Sequence, residues 1–224
     1  MDLGNISTKD NYDITPSRSS VDRVLKNHTP DIQTPWRELL DNSLSADATQ
    51  VKIYFEVEAN SVIRKMFPEK LEHKYPIVYF DDGTGISTKE KLKEALTIKE
   101  NNSKNTYNVY GVGWKSTIAS LAGKVTIITC SINGPMLVAQ YDRSSEFWTM
   151  PIKNVEELDA DARLKCMEQW NKYSLGCKTG TLQLFEDLQV DYGYQKLENA
   201  LFNNKNSLAY WYHGVNERTP FELT

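Results

Sequence analysis

The sequence predicts an α+β domain, a two-layer sandwich whose mixed, mostly antiparallel sheet is covered on one face by helices. Three observations predict it. Short alternating or β-branched runs recur along the chain, helical patterns do not alternate strictly with them, and glycine-rich turns follow a strand and precede a helix. With 224 residues, 40% of them apolar and 25% charged, the chain has material for a soluble globular domain rather than a disordered or fibrous protein.

Residues 1–18 are polar and read as a flexible N-terminal arm, with one domain over 19–224. A first helix is predicted at about Ser19–Lys26. A second starts where Thr34 can act as N-cap and Pro35 takes the first helical position, where its missing N–H costs nothing. VKIYFEVE (51–58) and IVYF (77–80) read as strands, and the charged segment 59–75 as a hairpin excursion or surface insertion. KVTIITCSI (124–132), MLVAQYD (136–142) and FWTMPI (147–152) predict successive antiparallel strands, with Asn133-Gly134-Pro135 as a turn. A helix over 159–173, a strand over 179–188 and a last helix over about 194–213 complete the order.

Bulk properties exclude several function classes. A net charge of −4 argues against a surface built mainly for nucleic acid, although a local basic patch stays open. The three cysteines are far apart and form no C-x-x-C pair, so neither a zinc site nor a disulfide framework is expected. No apolar run reaches the roughly 18 residues of a membrane span, and the start has no signal-peptide pattern. A cytoplasmic protein is expected, nuclear in a eukaryote, with no membrane partner. His28, His73 and His213 have no motif around them.

Three motifs carry chemistry. At about 100° per residue, Trp36, Leu39, Leu40, Leu44 and Ala46 gather on one side of a helix, and Glu38 and Asn42 lie together on the polar side. An amide oxygen suits magnesium, and a carboxylate one turn away can orient and deprotonate a water; a solvated helix face is the alternative. Next, Asp81-Asp82-Gly83-Thr84-Gly85-Ile86 follows an apolar strand. Gly83 and Gly85 let the backbone turn sharply and approach a ligand, and a carboxylate at the strand end can accept from an exocyclic amine; a plain turn is the alternative. Finally, Tyr110-Gly111-Val112-Gly113-Trp114-Lys115-Ser116-Thr117 precedes a helix-compatible stretch that Gly123 closes. Glycines entering a helix N-terminus favour an anion. A Walker A loop is excluded by Trp114 before Lys115, and a dinucleotide fingerprint by Ser116 in place of the third glycine. The polar stretch 97–109 before this loop is a candidate lid or an exposed loop.

In this order the motifs resemble the GHKL superfamily of gyrase B, the ninety-kilodalton heat-shock chaperone, histidine kinases and MutL. WRELLDNSLSADATQVKI resembles its N box, DDGTGI its adenine box and YGVGWKS its second glycine box, the last especially like MORC ATPases. KTGTLQL (178–184) is similar to its Gly-Thr strand, and the resemblance spans about residues 20–190. It implies the Bergerat-type sandwich, with ATP and Mg2+ as cofactors. Glu38 would be the general base and Asn42 the magnesium ligand. Asp81 would receive the adenine amine with Thr181 behind it, and Gly83, Gly85 and Ile86 would lie along the base. Gly111, Val112, Gly113, Lys115 and Ser116 would surround the phosphates.

Two positions depart from the pattern. Ser45 stands where the family often has Asp, with Asp47 as a partial substitute, and Asp82 replaces a frequent Asn, adding negative charge beside the pocket. The resemblance further implies slow hydrolysis by a MORC- or MutL-like ATPase domain that forms an ATP-dependent homodimer. DNA or a DNA-associated complex would be engaged through the full-length protein. No transducer domain fits before Thr224, so an excised domain is expected, with a small protein that borrows the missing pieces from a partner as the other reading. The alternative is a nucleotide-gated binding module with negligible hydrolysis.

Overall fold

The structure, a computed structural model, describes residues 33–55, 76–96, 113–144, 150–188, 198–203, 208 and 222–223. The expected N-terminal arm, the helix at Ser19–Lys26, the candidate lid and most of the last helix lie outside the described residues.

The elements run α1 (Thr34–Ser45), β1 (Gln50–Phe55), β2 (Ile77–Asp81), α2 (Lys89–Leu96), α3 (Gly113–Leu121), β3 (Ala122–Cys130), β4 (Leu137–Asp142), β5 (Ile152–Asn154), α4 (Ala160–Ser174), β6 (Gly180–Leu188) and β7 (Glu222–Leu223). A 3-10 turn at Val155–Glu157 precedes α4, and a π-helical turn at Asn199–Asn203 lies in the stretch expected to be helical. The seven strands form one sheet in the order β5-β4-β3-β6-β2-β1-β7. Every pairing is antiparallel except β1 with β7, so the expected mixed, mostly antiparallel sheet is the sheet found.

Strand alternation splits the core into two layers. Ile77 and Tyr79 of β2, Val125 and Ile127 of β3 and Phe185 of β6 pack with Trp36, Leu39 and Leu40 of α1, Leu92 and Leu96 of α2, and Ile118 and Leu121 of α3. Val78, Phe80, Ile128, Leu182 and Leu184 point the other way, onto Ala162, Cys166, Trp170 and Tyr173 of α4. The helical cover expected on one face is thus α1, α2 and α3, and α4 adds a layer on the opposite face. Its buried residues recur at steps of four and three, a single helical stripe. The Asp159 carboxylate caps it by accepting from Ala162 N at 2.8 Å, and Leu175 ends it in the left-handed region at φ 50°.

Local starts and stops differ from expectation: the strand expected at 147–152, of which 147–149 lie outside the described residues, is found at Ile152–Asn154. Gln33 rather than Thr34 occupies the cap of α1; its side chain makes no capping bond, and its Nε2 donates to Ala200 O at 3.2 Å. Helix α3 ends at Leu121, and Gly123, rather than closing the helix, lies inside β3, where an added Cβ would meet the Asp187 carboxylate. Helix α2 is absent from the sequence reading because only Leu92 and Leu96 mark its buried side among charges. Thr88 starts it, its hydroxyl accepting from Lys91 N at 3.2 Å. Among the described residues no helix is long and apolar enough to cross a membrane.

Candidate functional site

Strand β2 ends on Asp81, which pairs in register with Val51 of β1 and Thr181 of β6. Alternation turns Asp81 to the same face as Ile77 and Tyr79, so the carboxylate is buried at 4% exposure. A buried carboxylate requires donors, and here the protein provides them. Gly83 N reaches Oδ1 at 3.1 Å, Ser43 Oγ reaches Oδ2 at 3.1 Å, and the Thr181 backbone N–H donates as well. Burial pushes the Asp81 carboxyl up to about 7, and the charge on Asp82 adds to the rise, against the pull of those three hydrogen bonds. An ionised carboxylate has about four acceptor sites, so capacity remains for a donor from a ligand.

The hydroxyls around Asp81 are ordered by their proton count. Ser43 Oγ has one proton and three neighbours: Tyr79 OH at 2.7 Å, Asp81 Oδ2 at 3.1 Å and Leu39 O at 3.1 Å. With Tyr79 donating, the Ser43 proton serves the carboxylate when Asp81 is charged and Leu39 O when it is not. Across the sheet, Thr129 Oγ1 donates to Gly180 O at 3.0 Å and accepts from Ile86 N at 3.0 Å. Its contact with Thr181 Oγ1 at 3.2 Å then takes the Thr181 proton. Thr181 is left with lone pairs to offer beside Asp81, which makes it an acceptor.

The glycine turn is docked onto the end of α1. Thr84 N donates to Ala46 O at 2.8 Å, and a Cβ on Gly83 would lie 2.9 Å from both Ala46 O and Asp81 Oδ1. Gly85 sits at φ +64°, and a Cβ there would lie 1.9 Å from Cys130 O. Both glycines are therefore demanded by the approach of other backbone, whatever a ligand adds. Asp82 points away toward the start of β1. It accepts from Thr49 N (2.7 Å), Thr49 Oγ1 (2.6 Å) and Gln50 N (2.7 Å), so the departure at this position serves a clamp between β1 and the turn.

Glu38 and Asn42 are both half-buried on α1. Asn42 is one residue from Ser43, which touches Asp81, so the helix brings its polar face beside the glycine turn. Asn42 Nδ2 is buried with no hydrogen-bond partner, a costly state for an amide donor. Ser45 is exposed and donates back to Asp41 O at 2.8 Å, and exposed Asp47 takes φ 58° in the loop after the helix. Neither hydrogen-bonds within the site among the described residues.

Gly113 opens α3 directly, so Lys115 and Ser116 lie in its first turn rather than in a loop ahead of it. Gly111, Val112 and the Ser116 side chain lie outside the described residues. Lys115 is buried at 3% exposure, which is unusual for lysine and holds its amine inside the molecule. Polar ties help to hold α3: Thr117 Oγ1 donates to Pro35 O in the first turn of α1 at 3.2 Å, and Trp114 Nε1 donates to Gln183 Oε1 on β6 at 2.7 Å.

Four side chains that shape this site escaped the sequence reading: Ser43, Tyr79, Thr129 and Gln183. Each is a polar group at an inward-facing position. Ser43 falls inside the apolar stripe of α1, Tyr79 between Ile77 and Asp81, Thr129 after Val125 and Ile127, and Gln183 between Thr181 and Phe185. A polar side chain on a core stripe was the available signal, since burying it requires a partner.

A family model described as Histidine kinase-, DNA gyrase B-, and HSP90-like ATPase matches residues 34–173, more than half of the chain. The matched stretch runs from the first residue of α1 nearly to the end of α4, and includes Glu38, Asn42, Asp81, the glycine turn and Lys115. No curated protein matches the chain. The match supports ATP binding as the general property of the domain. Sheet, helices and matched sequence agree, and the chain belongs to the family of histidine kinase-, DNA gyrase B- and HSP90-like ATPases.

Proposed function

We propose that this chain binds magnesium-ATP and hydrolyses it slowly, as the ATPase domain of a MORC- or MutL-like protein that dimerises on ATP. The observation that carries the proposal is the buried Asp81 carboxylate, held by Gly83, Ser43 and Thr181 at the start of a glycine turn docked on the helix of Glu38 and Asn42. Asp81 accepts the adenine amine, and Thr181 offers a second acceptor beside it. Such a pair selects a base with a donor at that edge, because an acceptor there would face two acceptors.

The residues present fit the nucleotide and its metal. Among the described residues no cluster of three or more His, Cys, Asp or Glu side chains could hold a metal by itself. Magnesium suits that situation, because it keeps several waters and takes the rest of its ligands from phosphates and one or two side chains. Asn42 supplies the amide ligand, and its unpartnered Nδ2 gains an acceptor when phosphate oxygens are close. When bound, magnesium neutralises charge on the phosphates.

Glu38 orients and deprotonates the attacking water from the same helix, four residues before Asn42. The positive end of the α3 dipole at its N-terminal turn favours the phosphates, and Lys115 adds its charge. Phosphate release measured with magnesium tests this reading. Glu38→Ala should lower turnover by about 10²–10⁴-fold while ATP binding persists. Turnover unchanged by the substitution would contradict the role given to Glu38; binding without turnover in the wild type would favour a nucleotide-gated clamp.

A further inference from the structure

Helix α3 and strand β6 are joined by a bond that their packing alone does not require. Trp114 is half-buried against the core, yet its indole N–H is aimed at Gln183 Oε1, 2.7 Å away. Gln183 is 4% exposed and lies on the inner face of β6, directly beside Tyr79 of β2 in the register. An amide buried among Tyr79, Ile127 and Phe185 is expensive unless bonded. Any apolar side chain of similar size would fill the same space without that cost.

The bond joins the two ends of the site. Trp114 immediately precedes Lys115 in the first turn of α3, and Gln183 lies two residues after Thr181 on the strand opposite Asp81. A second polar tie of α3, from Thr117 to Pro35 O, fixes the helix to α1. Helix α3 is thus tied to β6 through Trp114 and to α1 through Thr117, and Ile118 and Leu121 pack it into the core.

We propose that Trp114 and Gln183 are positioning residues for the phosphate end of the nucleotide, with the indole–amide bond setting where the first turn of α3 stands relative to the strand that holds the base. The inference rests on the reading of the site as an ATP site. Losing the bond lets the first turn of α3 shift and leaves Gln183 Oε1 buried without its donor. Phosphate contacts weaken as a result, while Asp81 and Thr181, held by the sheet, still receive the base.

The test compares two probes, magnesium-ATP and adenosine, on the wild type, Trp114→Phe, Gln183→Met and the double variant by isothermal titration. Each single substitution should weaken magnesium-ATP about tenfold and leave adenosine within about twofold. The double variant should be no weaker than the worse single variant, since both remove one bond. Equal weakening of both ligands would overturn the proposal in favour of a general structural role, as would unchanged binding of magnesium-ATP or additive losses in the double variant. A wild type that binds adenosine but gains nothing from the phosphates overturns this inference alone. A wild type that binds neither ligand overturns the ATP-site reading and this inference with it. Trp114→Phe keeps an aromatic ring in the core, so it supplies the comparison if Gln183→Met fails to fold.

Discussion

Thr181 stands opposite Asp81 in the β2–β6 pair, and its backbone N–H donates to the Asp81 carboxylate. The same strand pair thereby builds the sheet and prepares its one deeply buried carboxylate among the described residues. A site assembled from ladder partners is rigid where a loop site would not be, and that rigidity makes the following consequences measurable.

The first consequence concerns stability against pH. Asp81 has a folded value of about 7 against an ordinary 3.8, so between these limits the folded chain binds more protons than the unfolded one. Stability attributable to this group therefore falls as pH rises from about 4 to about 7 and is level beyond, with a slope of at most about 1.4 kcal/mol per pH unit. Urea denaturation of the wild type and Asp81→Asn across this range checks it. The difference between the two should narrow toward acid; a difference independent of pH would contradict the burial of a titrating carboxyl.

Ligand binding should run the other way. On the proposed reading the charged form of Asp81 accepts the amine, so adenosine affinity should rise about three- to tenfold between roughly pH 6 and pH 8. Adenosine is the suitable probe because it carries no phosphate to titrate. A flat profile would show that Asp81 does not change charge in this range or does not touch the base.

How much of this was legible in the sequence differs from element to element. The Asp81 turn was readable because Gly83 and Gly85 follow a run that only a buried strand explains. The Glu38–Asn42 pair was readable as spacing, while Ser43 was hidden between two named residues, because its importance comes from Asp81, 38 positions away. Departures read in isolation as electrostatics became packing: Asp82 clamps Thr49 and Gln50. Helix α4 was located from its pattern, but the sheet face it covers depends on strand order, which no local pattern encodes.

Gly85 offers a test of the turn itself. Alanine there would combine φ +64° with a Cβ placed 1.9 Å from Cys130 O, whereas at Gly176 (φ +86°) the Cβ meets nothing within 4 Å. Gly176→Ala should cost about 1–2 kcal/mol from backbone strain alone, and Gly85→Ala distinctly more. Thermal or urea unfolding measures both. Equal costs would mean that the turn is not packed against β3 as described.

Asn42→Ala separates metal from nucleotide. If Asn42 is the proposed metal ligand, ATP affinity in magnesium should fall about tenfold, because one charge-assisted contact would be lost. In chelator, where no magnesium is bound, the loss should be smaller. Fluorescence titration under the two conditions reads the difference. The same loss with and without magnesium would assign Asn42 to the nucleotide rather than to the metal.

The most direct measurement is an isothermal titration of magnesium-ATP into the wild type and Asp81→Asn at about pH 8, where Asp81 is charged. The amide keeps the size of the carboxyl while removing its charge and presenting a donor to the base. Wild-type binding with a loss of at least about tenfold in Asp81→Asn is the predicted result. Equal affinity in the two proteins, with both folded, would contradict the assignment of Asp81 as the group that receives the base.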